Sequence, residues 1–261
     1  MGQNQWDPGQ YMKGAMGDLR TRPAIDLLGR IGHAAPARVV DLGCGPGNST
    51  LPLKARWPGA SVTGVDNAPA MLEKARASGA PVDWQEADIA TWAPDGPVDV
   101  IFSNAAFHWV ADHASLFRRL VASLAPGGVL AVQMPNNFGA PSHTLIAEIA
   151  EDARWRDRLA GKLVGEHVET ARFYHDLLRP LPGTPDIWET EYMQPLTGAD
   201  PVLEWVRGTA LLPVQRELPA DDFAAFTAIY RQRLRAAYPV AADGITLFPF
   251  RRMFITFTRT A

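Results

Sequence analysis

The sequence predicts an α/β fold: a doubly wound, mostly parallel seven-stranded sheet with a helical cap inserted after the fifth strand. Short apolar runs alternate with helical periodicity between residues 38 and 134, the pattern of a parallel sheet covered on both faces. The first run, Val39-Val40-Asp41-Leu42, passes into Gly43, Gly45 and Gly47 and then into helix-forming sequence. After Met134 this rhythm breaks, and residues 135–183 read as mostly helical before strand pattern returns.

Composition narrows the class. A chain of 261 residues with a net charge of −3 lacks the basic footprint expected of a nucleic-acid binder. No run of 18 or so apolar residues points to a membrane span, and the first residues carry no secretory apolar core, so the expected location is cytoplasmic. The lone Cys44 rules out an intrachain disulfide and a cysteine-rich zinc site. Inside the glycine loop it reads as a small residue, not a nucleophile. Six histidines, at 33, 108, 113, 143, 167 and 175, show no H-E-x-x-H spacing, and no metal site is expected.

Residues 1–36 read as an N-terminal arm and first helix, with Pro23 in that helix's first turn and Ala24, Leu27, Leu28 and Ile31 as its apolar stripe. Trp6 and Tyr11 on the arm either staple it to the core or close it over a ligand. After the strand 38–42, glycine at 43, 45 and 47 allows positive φ and close backbone approach to a ligand. A helix opening near Asn48 or Ser49 favours a carboxylate or phosphate at its N-terminus. The dinucleotide pattern G-x-G-x-x-G fails at Asn48, and no Gly-Lys-Ser/Thr follows. The second strand, 61–65, ends on Asp66, 23 residues beyond Gly43, close to the spacing at which a strand-end acid meets a ribose diol. Asn67 suits the cap of the next helix, with Met71 in its first turn. A third strand, 82–86, leads to Asp88 and Ile89; alone Asp88 reads as a turn residue, and its place one strand after Asp66 argues instead for an adenine amino group, with Ile89 against the ring face. The fourth, 98–102, exits through Ser103 to Trp109. In an open parallel sheet ligands lie outside the strands' carboxyl ends, so Asn104, His108 and Trp109 border the reacting group. A helix over 112–124, a turn at 125–128, a strand at 129–134, the cap, a strand at 187–193, helices near 200–211 and 220–237, and a last strand at 253–258 complete the chain.

Asp41 two residues ahead of Gly43-x-Gly45-x-Gly47, followed by Asp66, Asp88 and Asn104 at successive strand ends, resembles the class I S-adenosylmethionine-dependent methyltransferases over residues 37–134. The resemblance implies a Rossmann-like core, S-adenosyl-L-methionine as cofactor and S-adenosyl-L-homocysteine as product. It implies cofactor contacts from Asp41, Gly43, Cys44, Gly45, Asn48, Asp66, Asn67, Met71, Asp88, Ile89 and Asn104. The Asn/Asp-Pro-Pro-Tyr motif of DNA and protein amide methyltransferases is absent after the fourth strand, which argues against an amino acceptor of that kind.

Trp6-Asp7-Pro8-x-x-Tyr11, Arg22-Pro23-Ala24, Val132-Gln133-Met134-Pro135-x-Asn137, Asp186-Ile187-Trp188 and Phe248 to Phe254 resemble the branch of that family that forms a methyl ester on trans-aconitate. The likeness runs almost end to end and implies a small anionic substrate. One departure is His108, where family members often carry glutamine, which counts against a general base there. A carboxylate acceptor is ionised at neutral pH and needs none, so no acid–base residue is expected. Substrate contacts are expected from Trp6, Tyr11, Arg22, His108, Trp109, Arg207 and Arg252, with Arg251 a further candidate. The implied division is 1–36 as lid, 37–134 as cofactor core, 135–183 as cap and 184–261 completing the core. Rival readings are a methyltransferase of another small molecule, a nicotinamide oxidoreductase, and a non-catalytic S-adenosylmethionine-binding module. Asn48 and the lack of a Tyr-x-x-x-Lys donor disfavour the oxidoreductase. Oligomeric state is left open.

Overall fold

The computed structural model describes residues 15–163 and 167–261; Trp6 and Tyr11 lie outside them. One seven-stranded sheet organises the chain, in the order β3-β2-β1-β4-β5-β7-β6. Its strands are β1 (Arg38–Leu42), β2 (Ser61–Asp66), β3 (Asp83–Glu86), β4 (Val98–Asn104), β5 (Leu124–Pro135), β6 (Gly183–Leu196) and β7 (Thr246–Arg259). The first five are parallel, and β7 runs antiparallel between β5 and β6. Strand order reverses between β1 and β4, so the chain leaves their carboxyl ends in opposite directions and a crevice opens there.

Period-two alternation divides the strands between two faces. Val39, Val100 and Phe102 pack with Ala24, Leu27 and Leu28 of α1 (Ala15–Gly29) and with Leu53 of α2 (Thr50–Arg56). Val40, Leu42 and Ile101 point the other way, onto Leu116, Phe117 and Leu120 of α4 (His113–Ala122) and Tyr174 and Leu178 of α7 (Ala171–Leu178). Between these, α3 (Pro69–Arg76) links β2 to β3.

A third apolar cluster forms the cap. It joins α5 (Pro141–Ala150) and α6 (Arg156–Leu159) to α8 (Pro201–Arg207), α9 (Leu212–Glu217) and α10 (Ala220–Ala237), around Trp155, Trp205, Phe226, Tyr230 and Phe248. Packing therefore groups the chain differently from the expected boundary at residue 183. α7 belongs to the sheet's own core, and helices between β6 and β7 supply much of the cap. The cause lies in those two strands, which run seven residues and eight residues longer than the expected 187–193 and 253–258 and carry Leu196, Phe248 and Phe250 into the cap cluster. Pro185, Pro195 and Pro249 obscured their length. β6 is an edge strand, and β7 at Pro249 pairs with β6 alone, positions where a missing N–H is tolerated.

The first helix also differs from expectation. It begins at Ala15 and runs through Pro23, which sits inside it instead of in its first turn. Burial of Arg20, Ala24, Leu27 and Leu28 outweighs the roughly 3 kcal/mol that an interior proline costs. The expected turn at 125–128 is likewise absorbed into β5, with a register shift between Val98 and Val100 of β4. Among the described residues no helix is long and apolar enough to cross a membrane.

Candidate active site

The glycine loop is stitched to the end of β2. Gly43 and Cys44 both donate their N–H to the Val65 carbonyl, at 2.7 and 3.0 Å. Asp66 then clamps the loop: one carboxylate oxygen accepts from Gly45 N at 2.8 Å and the other from Ala68 N at 2.9 Å. The second bond ends the turn into α3, whose N-cap position is Ala68 with no side-chain cap. Asn67 therefore does not cap that helix; the acid before it satisfies the turn. Gly43 adopts φ +75° and a Cβ there would lie 2.2 Å from the Ala106 Cβ, whereas Gly45, at φ +53°, faces open space. Only glycine fits the first position, and at the second the bare backbone can approach a ligand.

Asp41 lies underneath. It is fully buried, and one carboxylate oxygen accepts from Ser49 Oγ at 2.7 Å and Thr50 Oγ1 at 2.6 Å. It is not on the cavity wall, contrary to the expected direct contact, because its carboxylate is buried against the hydroxyls of Ser49 and Thr50. Its role is to fasten the start of α2 to β1. Burial pushes its pKa up to about 6 against the lowering effect of the two hydroxyls, with Asp66 adding a small raising effect. Folding thus raises this pKa, so the folded chain holds the proton more readily than the unfolded one. The stability it contributes is present below about pH 4 and is lost as pH rises to about 6, on the order of 2–3 kcal/mol. Urea denaturation should show wild type losing stability relative to Asp41→Asn across that window and not above it. A constant difference from pH 4 to pH 8 would contradict the assignment.

Above the loop lies a cavity of about 240 Å³. Gly43, Cys44, Gly45, Asn48 and Asp66 form its floor, and Asn67, Met71, Asp88, Ile89 and Asn104 continue the same wall, so the structure brings together every expected cofactor residue except Asp41. Asp88 also accepts from Ala90 N at 2.8 Å, so it is a turn residue and a wall residue at once. Asn104 lines the cavity, and its Oδ1 is buried with no hydrogen-bond partner among the described residues. Burial pushes the Cys44 thiol far up, so it stays protonated and non-nucleophilic. These residues fit an adenosyl amino acid. Its ribose diol can meet Asp66, its adenine Asp88 and Ile89, and its amino-acid end the side of the cavity lined by Asn104.

The same cavity is also lined by cations and neutral imidazoles. His108 and Trp109 belong to a short 3₁₀ turn, Phe107–Trp109, at the exit of β4, and both line the cavity. Ala105, just before, holds φ +55°, so this exit is a strained turn. A buried relay props it from behind. The Phe107 carbonyl accepts from His113 Nε2 at 2.8 Å, which leaves Nδ1 to accept from the Tyr174 hydroxyl at 2.6 Å. Burial, then the charge of Arg252, brings the His108 pKa down to about 3. Burial alone brings that of His143, also on the wall, down to about 4.

Arg252 is 5% exposed, lies 4.7 Å from the Phe250 ring centre and donates to Gln133 Oε1 at 3.3 Å. It lines the cavity as expected; Arg22, Arg207 and Arg251 do not. Arg22 is exposed over the Tyr192 ring, Arg207 pairs with Glu204 at 2.8 Å, and Arg251 sits 3.9 Å from Glu189. Arg20, Thr21, His143, Trp205, Thr209 and Phe250 line the cavity without having been expected. For Arg20 a signal existed: Arg20, Ala24 and Leu27 follow i, i+4, i+7 spacing, visible once the helix is carried back through Pro23.

Residues 39–128 match the family described as a methyltransferase domain. The trans-aconitate 2-methyltransferase of Streptomyces avermitilis is 49% identical over 258 residues, covering 95% of each chain. That of Paracidovorax citrulli is 46% identical over 262 residues, covering 99% of this chain and all of its own. An S-adenosylmethionine-dependent methyltransferase from Mesorhizobium loti shares the fold at 21% identity, with a TM-score of 0.51 over 90% of this chain and 96% of that one. Identity near one half extends over almost the whole of both chains, and on that ground the chain belongs to the trans-aconitate 2-methyltransferase family.

Proposed function

We propose that the protein methylates a carboxylate of a small polyanionic acid, trans-aconitate foremost, to give a methyl ester. One observation carries this reading: a single cavity is lined both by Asp66 and Asp88, at the β2–β3 side of the sheet, and by the buried Arg20 and Arg252, the latter on β7 at the other side. When bound, S-adenosylmethionine supplies an electrophilic methyl group on a sulfonium. The glycine loop, Asn48, Asp66, Asp88, Ile89 and Asn104 would hold it. A carboxylate offers about four acceptor sites, so Asp66 can grip the loop and a ribose diol together.

The chain's remaining task is to hold and dry the acceptor. An acceptor carboxylate is already ionised at neutral pH, and alignment alone can contribute about 7–11 kcal/mol. His108 and His143, both neutral, offer hydrogen bonds without drawing a proton. Incubation with labelled S-adenosylmethionine and trans-aconitate should give an alkali-labile labelled ester by mass spectrometry. Label confined to amines or phenols across an acceptor panel would refute the reading. The kcat/KM profile should be flat from about pH 6 to about pH 9 and fall only as acceptor carboxylates protonate below about pH 5. A unit slope through pH 6–7 would reveal a working base and overturn this account.

A further inference from the structure

We propose that Arg20 is a specificity-determining residue: with Arg252 it binds acceptor carboxylates that do not react, so the site selects polycarboxylic over monocarboxylic acids. This rests on the carboxylate-methylating reading above.

Both guanidinium groups are buried, Arg20 at 7% and Arg252 at 5% exposure, and both line the cavity. Each lies over an aromatic ring of the same wall. Arg20 is 4.8 Å from the Trp205 ring centre and donates from Nη2 to the Trp205 carbonyl at 2.8 Å. Arg252 is 4.7 Å from the Phe250 ring centre. The two rings touch, with centroids 6.0 Å apart. Arg20, Trp205, Phe250 and Arg252 therefore form one continuous wall, drawn from α1, α8 and β7.

Aromatic faces attract the guanidinium charge while their bulk keeps water away. A carboxylate that enters beside a partly desolvated guanidinium is attracted more strongly than it would be in water. The planar fork of arginine matches a carboxylate through two parallel hydrogen bonds. Such a clamp ties up lone pairs on both oxygens and lowers their nucleophilicity. It therefore belongs on carboxylates that stay free, while the neutral His108 and His143 are better suited to the oxygen that takes the methyl group.

The test compares trans-aconitate with crotonate, a monocarboxylate of related unsaturated frame. Wild type should prefer the first by at least about 100-fold in kcat/KM, about 2.8 kcal/mol at 1.4 kcal/mol per factor of ten. Arg20→Gln should shrink that ratio at least about tenfold, with the loss carried by KM, as expected for contacts made equally in ground and transition states. Arg20→Lys, which keeps charge but not the fork, should fall between. Calorimetric titration with S-adenosylhomocysteine reports whether each variant keeps an intact pocket. An unchanged ratio in Arg20→Gln, with both acids slowed alike, would make Arg20 a prop for Trp205 and overturn the proposal. If Arg20→Gln does not fold, a wild-type series with one, two and three carboxylates decides: a drop in KM at the second carboxylate supports it and a flat series overturns it. No ester from any acid would instead sink the underlying reading.

Discussion

Gly43→Ala is expected to destabilise the fold by about 2–5 kcal/mol and to weaken S-adenosylhomocysteine binding at the same time. Two independent costs add. At φ +75° an L-residue is strained by about 1–2 kcal/mol. The new Cβ would stand 2.2 Å from the Ala106 Cβ and 3.1 Å from Ile89 Cδ1, an overlap that typically costs a further 1–3 kcal/mol or so. Ala106 has little freedom to retreat, since Ala105 before it is already at φ +55° and the turn after it is tied to His113. Strain should therefore spread to His108 and Trp109. Gly45→Ala is the control. Its Cβ meets nothing within 4 Å, so stability should fall only by the conformational cost of about 1–2 kcal/mol while the methyl group intrudes on the cavity. Urea denaturation and calorimetry on the two variants separate these effects. Equal stability loss in both would mean that the packing of Gly43 against Ala106 does not exist.

That loop was legible before any coordinates because its meaning is local. A strand's period places Asp66, Asp88 and Asn104 at successive carboxyl ends, and a parallel sheet gathers those ends at one crevice. Asp41 shows where local reasoning stops. Spacing puts it beside the glycines but does not say whether it faces ligand or the hydroxyls of Ser49 and Thr50 beneath.

The acceptor wall depends on contacts far apart in sequence, such as Arg20 with Trp205, 185 positions away. Of Arg251 and Arg252, adjacent on β7, strand alternation requires that one face the cavity, yet parity cannot be fixed without the neighbouring strand. Pairing of Arg252 with Pro135 of β5 fixes it. Arg207 was expected for its charge, but Trp205 two residues earlier points elsewhere around the helix, and it is Trp205 that meets the cavity.

Asp66→Ala should cost at least about 100-fold in S-adenosylhomocysteine affinity. Hydrogen bonds to a charged group are worth about 1.5–3 kcal/mol each, and this carboxylate holds Gly45 N and Ala68 N while presenting lone pairs to the cavity. Losing the loop clamp and one ligand bond together reaches the ~2.8 kcal/mol that a hundredfold change requires. Stability should respond differently. Burial raises the Asp66 pKa despite the backbone N–H groups that oppose it, so its charged form costs the folded state more than the unfolded one, and that cost appears as pH rises past the ordinary carboxylate range. Asp66→Asn, which sheds the charge but keeps an acceptor oxygen for only one of the two N–H groups, should therefore lose affinity while losing less stability at pH 7 than Asp66→Ala. Asp66→Ala, which also abandons both N–H groups, should lose both. Wild-type affinity in either variant would remove the second strand's acid from the binding site and leave the cavity's acidic wall without a function.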